Sequence, residues 1–354
     1  MPPEGKSLPE ADSRLGLEIL KGLARDRSPL TAMEQMHTHV GEIFQINMPA
    51  FHPVVVSGPE FNRQVLIADR DQYRWRGKSD PVIRLLRHGV LVEDGVIHDE
   101  LRGCREPALR RSPTNDHIPS MIAYTDQILD QWPAPGQVDM LVEMRKIALL
   151  VLLGTLYGTD FTPHLDRLWE PIMKAIEYIS PGLWILWPNM PRPSYRTPLA
   201  ELDAYLYDLI RQRREQGGPQ DDLLGRLINA PAMDDDLIRD QLLTMLIAGH
   251  DTSTAMLSWT LYLLGEHPQA LAQAQAEVDE VCGRKQPTAE MVAHLPFIEH
   301  VIKESLRLYP PIHVGNRFAA QDTQLPGYHI PEETRVMVSR DRSLRDAARG
   351  EEPA

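Results

Sequence analysis

Residues Leu246 to Leu257 read LIAGHDTSTAML, a polar cluster set inside an apolar stretch. A carboxylate or an imidazole buried without partners costs several kcal/mol or changes its protonation state. A helix interior therefore carries such groups only where the fold satisfies or uses them. Gly249 in a helix middle costs up to about 1 kcal/mol against alanine and makes sense where another body must approach the backbone. Thr252 can turn its hydroxyl onto the carbonyl of Ala248 and loosen the helix ladder locally. Asp251 beside it offers a carboxylate that exchanges protons with solvent. Ala248, Gly249, Asp251 and Thr252 together could line a groove for a flat or diatomic ligand, flanked by an acid and an alcohol that relay protons. The plain alternative is a glycine kink at a helix–helix contact with its polar groups satisfied.

A second constellation is Glu304-Ser305-Leu306-Arg307. Residues i and i+3 share a helix face, so Glu304 and Arg307 can pair, a feature worth only a few tenths of a kcal/mol when exposed. Pro310–Pro311 stops that helix, and a strand and a turn at Gly327–Tyr328 follow.

The elements that must position these groups are mostly helical. Glu42–Met48 and His52–Gly58 read as two short strands, and Pro59 fits the first position of a helix. From about Ile118 onward apolar residues recur at spacings of three and four, over IPSMIAYTDQILDQW, MLVEMRKIALLVLLGTLYG, LAELDAYLYDLIRQRREQG, DDLLGRLINA and 237–264. PQALAQAQAEVDEVCG and PFIEHVIKESLRLYPP continue the pattern, and strand character returns in RFAAQ and TRVMVS. Strands at both ends of a helical middle predict a mainly α fold with a small β-sheet closed by distant segments. Between Phe161 and Pro198, prolines mix with Trp169, Trp184 and Trp187, a composition that suits an apolar lid or a packed loop.

The chain has 354 residues, 42% hydrophobic and 25% charged, with a formal net charge of -13. That composition is globular, and the negative charge disfavours nucleic acid and anionic membrane surfaces as partners. Two cysteines, Cys104 and Cys282, make no disulfide framework or CxxC pair, which fits a reducing, cytoplasmic setting. The N-terminus has no basic segment followed by an apolar one, so neither signal peptide nor anchor is expected. Leu242–Leu264 is long enough to span a bilayer. The charged and polar groups at its centre make that costly, and it reads as a buried helix.

The order of these features resembles the cytochrome P-450 haem-thiolate monooxygenases. AGHDTST looks like the oxygen-groove motif of their long central helix, ESLR like their Glu-x-x-Arg helix, and PP, Arg317 and GYHIP like the run that follows it. LVEDGVIHDELR looks like the entry to the helix whose His/Trp-x-x-x-Arg pair, here His98 and Arg102, binds a haem propionate. The resemblance covers roughly Gly41 to Ser339 and implies haem b as cofactor. It implies insertion of one oxygen atom of O2 into a hydrophobic small molecule, with external electrons from a ferredoxin- or flavodoxin-type donor. On that basis Ala248 and Gly249 leave space for dioxygen, while Asp251 and Thr252 handle its protons. His98, Arg102 and Arg317 hold the propionates, Glu304 and Arg307 are a structural ion pair, and no role transfers to His250.

The resemblance also implies an axial cysteine in a Phe-x-x-Gly-x-x-x-Cys-x-Gly loop after TRVMVS. This sequence continues SRDRSLRDAARGEEPA, so no metal ligand is assigned within it. Cys104 and Cys282 stand in other contexts and are expected to be packing or surface residues. Residues 1–339 are accordingly expected to form a single P-450-like domain, incomplete at the C-terminus. Residues 340–354 read as an atypical tail with no core pattern beyond Leu344, as a lost reading frame near Ser339 would leave. Low solubility, little thiolate-bound haem and no activity of the chain alone are the corresponding expectations. A haem-less helical protein that binds an apolar ligand or a partner protein is the alternative.

Overall fold

The computed structural model describes residues 6–11, 13–26, 29–48, 51–77, 80–180, 194–231 and 233–339. The tail 340–354 and residues 181–193 of the Trp- and Pro-rich segment lie outside the described residues. The chain divides into two compact units, one built from 1–80, 181–192 and 312–354, the other from 81–180 and 193–311.

All named strands belong to the first unit. Its helices are α1 (Ser13–Asp26), α2 (Pro29–Val40) and α3 (Pro59–Arg63), and its strands are β1 (Ile43–Gln45), β2 (Val54–Val56), β3 (Tyr73–Arg74), β4 (Val314–Ala319), β5 (Thr323–Leu325), β6 (Tyr328–Ile330) and β7 (Arg335–Ser339). Five of these strands form a sheet in the order β1-β2-β7-β4-β3. The three valines of β2 are fully buried, a continuous apolar run suited to a strand paired on both edges. Val54, Val55 and Val56 pair in parallel with Val336, Met337 and Val338 of β7, so the sheet is closed by distant segments, as the sequence suggests. Pro59 begins α3, and Gly58 before it takes a positive φ of 93°. Strands β5 and β6 make a separate hairpin. Its turn is Pro326–Gly327, with Gly327 at a φ of 83°, the pattern of a type II turn.

The second unit is helical. It contains α4 (Pro81–Leu86), α5 (Gly95–Arg105), α6 (Arg111–Asp116), α7 (Ile118–Leu129), α8 (Met140–Leu156), α9 (Leu165–Ile179), α10 (Arg196–Gln216), α11 (Leu223–Asn229), α12 (Asp235–Glu266), α13 (Pro268–Val281), α14 (Ala289–Val292) and α15 (Pro296–Leu308). Asp234 caps α12, accepting from the Leu237 amide at 2.8 Å. Asp235 and Asp236 follow in its first turn, where negative charge suits the helix dipole. The core is a large apolar cluster in which Leu149, Leu150 and Leu153 of α8 pack with Leu242, Leu243 and Leu246 of α12. Full burial of each such leucine is worth about 1.5–3 kcal/mol. No described helix is long and apolar enough to cross a membrane.

The N-terminal half of α12 is also anchored by polar groups. Gln241, fully buried, accepts from the Val90 amide at 3.2 Å and donates to the His88 carbonyl at 2.9 Å. Arg239, also fully buried, donates to the Leu85 carbonyl, to Asp240 at 2.8 Å and to Asp203 of α10. Buried charges persist where they are paired and hydrogen-bonded. These contacts fix the rotation of α12 and hence the faces its later residues present.

Candidate active site

Past Ile247 the burial of α12 changes. Ala248, Gly249, Asp251, Thr252 and Ser253 are half-buried, while His250 and Thr254 remain buried, and the backbone stays helical throughout. The Thr252 hydroxyl donates to the Ala248 carbonyl at 2.7 Å, the turn-back bond its position predicts. Thr254 does the same to the His250 carbonyl at 2.9 Å. These bonds leave the helix ladder unbroken, so the local loosening expected from sequence is not seen.

Gly249 serves helix packing. A Cβ at this position would meet Cδ1 of Leu152, so the missing side chain leaves room for that leucine of α8 against the α12 backbone. His250 faces the same helix. Its Nε2 donates to the Arg145 carbonyl at 3.2 Å, a partner that only accepts and so fixes the tautomer. Burial pushes its pKa down to about 4, against a small opposing pull from Asp251; the ring is neutral at pH 7. Asp251 reaches α8 as well, with Oδ1 3.5 Å from Nη2 of Arg145 and about half of its side chain in solvent. Arg145 has no sequence signal that links it to Asp251, 106 residues away.

The remaining face of α12 carries Met245, Ala248 and Thr252, at i, i+3 and i+7. Arg105 of α5 meets this stripe, its Nη1 donating to Met245 Sδ at 3.2 Å. On α5, residues 98, 102 and 105 share one face at i, i+4 and i+7. His98 is mostly buried and lies 3.0 Å from Asp99. Arg102 is exposed, and Arg105 is buried at 8% exposure. Burial, reinforced by the nearby Arg102 charge, draws the Arg105 guanidinium down to about 10. The structure thus brings His98 and Arg102 onto the helix that adjoins the Met245–Ala248–Thr252 stripe. It adds Arg105, which motif reading passed over although its i+3 spacing from Arg102 puts it on the same face.

Three expected residues stand elsewhere. Glu304 and Arg307 form a two-pronged pair on α15, Nε to Oε2 at 2.7 Å and Nη2 to Oε1 at 2.6 Å. The bond to Arg307 holds the Glu304 carboxyl below its ordinary range. The pairing follows from their i, i+3 spacing on one helix face. Arg317 lies on β4 in the first unit, its guanidinium stacked over Trp75 at 3.6 Å, a cation–π contact. Cys104 is partly buried on α5 and Cys282 is buried at the end of α13; both are free thiols. Among the described residues no group of three His, Cys, Asp or Glu could hold a metal ion.

Comparison with known proteins identifies the family. The Cytochrome P-450 family model matches residues 16–353. The chain is 28% identical to cyclooctat-9-en-7-ol 5-monooxygenase of Streptomyces melanosporofaciens, a match over 88% of this chain and 71% of that protein. It is also 28% identical to pentalenene oxygenase of Streptomyces avermitilis, over 88% and 72%. Among solved structures it is similar to retinoic acid bound cyanobacterial CYP120A1, with a TM-score of 0.77 and 25% identity over 88% of this chain and 72% of that one. With its long polar-centred helix, its cationic helix face and its Glu-x-x-Arg pair, the chain belongs to the cytochrome P-450 family.

Proposed function

We propose that the chain forms the dioxygen side of a haem-dependent monooxygenase for a hydrophobic, terpenoid-like small molecule, with electrons from a separate ferredoxin- or flavodoxin-type donor. The observation that carries this is the contact of Arg105, on the cationic face of α5, with Met245 of the Met245–Ala248–Thr252 stripe of α12. The substrate class is taken from the relatives, whose names give cyclooctat-9-en-7-ol and pentalenene.

Haem b is the cofactor of the family, and the residues present fit its anionic edge and one face. A buried guanidinium with no carboxylate beside it among the described residues suits a propionate, and a half-buried stripe ending in a hydroxyl suits a flat apolar ring. The thiol donors do not fit. Cys104 stands six residues after His98, off the cationic face, and Cys282 closes a different helix. We assign the axial thiolate to neither, so these 354 residues are expected not to turn over by themselves.

When bound, haem supplies the redox chemistry that activates dioxygen. The chain's own groups bind, orient and move protons. Arg105 and Arg102 neutralise the carboxylates, and His98 lies on the same face. Ala248, the smallest side chain on the stripe, leaves room beside Thr252. The Thr252 hydroxyl, donating to the Ala248 carbonyl, keeps its lone pairs free to accept a hydrogen bond. Asp251, half exposed, takes protons from water, and Arg145 keeps its carboxylate in place.

The test is haem-loaded chain titrated with a cyclic terpene under reducing conditions with O2. The expected result is a saturable change in the haem spectrum and no hydroxylated product. Hydroxylated product would overturn the assignment of no thiolate, and an unresponsive spectrum would overturn the substrate class.

A further inference from the structure

Three arginines are buried among the described residues: Arg105, Arg213 and Arg239. Two of them have carboxylate partners. Arg213 meets Asp222 at 2.9 Å, and Arg239 meets Asp203 and Asp240. Arg105 meets none. Its hydrogen bonds go to the carbonyl of Leu101 on its own helix at 3.3 Å and to the sulfur of Met245 at 3.2 Å. The charged side chain that weighs most on it is Arg102, of like sign.

A guanidinium stays protonated in a protein interior, so it holds a positive charge there without a counter-charge. Leaving a buried charge unpaired is among the costlier arrangements a fold can carry. The same chain gives its other two buried arginines carboxylate partners. Such an exception marks a position where an anion from outside the chain completes the pairing.

We infer that Arg105, rather than Arg102 alone, is the principal cation for a carboxylate of the bound porphyrin, delivered along the Met245–Ala248–Thr252 stripe. This rests on the haem reading above. A sulfur is a weak acceptor, so the Arg105–Met245 contact is readily exchanged for a charge-assisted bond to a carboxylate. Arg102, one turn back on the same face and exposed, meets the second carboxylate at the solvent edge. Arg105 acts as a binding and positioning group: its anion fixes which edge of the ring enters against α12.

The experiment compares haem with its dimethyl ester, in which both carboxylates are blocked, on the purified 354-residue chain, Arg105→Met and Arg105→Lys. Binding is read by quenching of tryptophan fluorescence, and the melting temperature of each ligand-free chain is recorded. The expected result has three parts. Arg105→Met binds haem about tenfold or more weakly, the loss of one charge-assisted contact, and Arg105→Lys recovers part of the loss. The dimethyl ester binds the original chain and Arg105→Met alike. The ligand-free Arg105→Met chain melts no lower than the original, because methionine removes an unpaired charge while keeping the volume.

Equal weakening for haem and ester would make Arg105 a packing residue and overturn the inference. So would unchanged haem binding in Arg105→Met. Failure of the original chain to take up either porphyrin would overturn the haem reading itself, and with it this assignment. A saturable haem titration with no dependence on Arg105 would overturn the assignment and leave that reading standing.

Discussion

Between pH 6.5 and 4 the protein is expected to lose about 3 kcal/mol of stability through one side chain, His250. Burial pushes its pKa from 6.5 to about 4 in the folded chain, and a pKa displaced by one pH unit on folding is worth about 1.4 kcal/mol. In this window the unfolded chain binds a proton at His250 that the folded chain refuses. Stability is therefore complete above pH 6.5 and falls as the pH drops towards 4. The cause lies in packing. The ring is fully buried between α12 and α8, with a carbonyl on one nitrogen. A proton added to the other ring nitrogen would place a charge where no described acceptor waits. Urea unfolding of the original chain and of His250→Gln at about pH 7, 6, 5 and 4.5 measures this contribution directly. The difference between the two should shrink as the pH falls, because glutamine cannot be protonated. Parallel curves would show that His250 charges freely in the folded state.

The second large effect concerns the anchor of α12. Arg239→Ala is expected to destabilise the protein by about 3–5 kcal/mol, the cost of breaking a buried pair from one side. Arg239 is fully buried and holds Asp203, Asp240 and the Leu85 carbonyl. Removing it leaves Asp240, 1% exposed, with the His88 amide at 3.1 Å and a distant Arg87 at 3.9 Å. At the entropy of unfolding of a domain this size, such a loss lowers the melting temperature by on the order of 10 °C. Replacing Arg239 by Met together with Asp240 by Leu should recover part of it, since an apolar pair leaves less charge unpaired. A melting temperature within about 2 °C of the original for Arg239→Ala would show that water reaches the site and that the network contributes little.

The two effects also show what a sequence can and cannot carry. The Thr252–Ala248 bond and the Glu304–Arg307 pair are consequences of helical spacing, and each appears where spacing puts it. The sheet closed by distant segments was legible because β2 and β7 are short, bounded and rich in valine. Gly249 was legible as a point of close approach, but the body that approaches is Leu152 of α8. No local rule identifies which neighbour fills a gap. Arg105 sits on the same helical face as Arg102, and spacing alone makes them equivalent. Only the tertiary surroundings of α5, with α11 beside it and Met245 of α12 on Arg105, bury one and expose the other. Arg145 is the limiting case, because its contact with Asp251 joins two helices far apart in sequence. Pairwise contacts of that kind are set by the rotation of α12, which in turn depends on Arg239 and Gln241.

In the function proposed for this chain, the α5 and α12 faces hold haem while neither Cys104 nor Cys282 ligates it. The absorption spectrum of the haem-loaded chain, reduced and exposed to carbon monoxide, tests it most directly. The expected result is bound haem whose Soret band lacks the strong red shift of a thiolate-ligated ferrous–CO complex, unchanged in Cys104→Ser and Cys282→Ser. A strongly red-shifted band that disappears in either variant would contradict it, placing a cysteine of this chain on the iron.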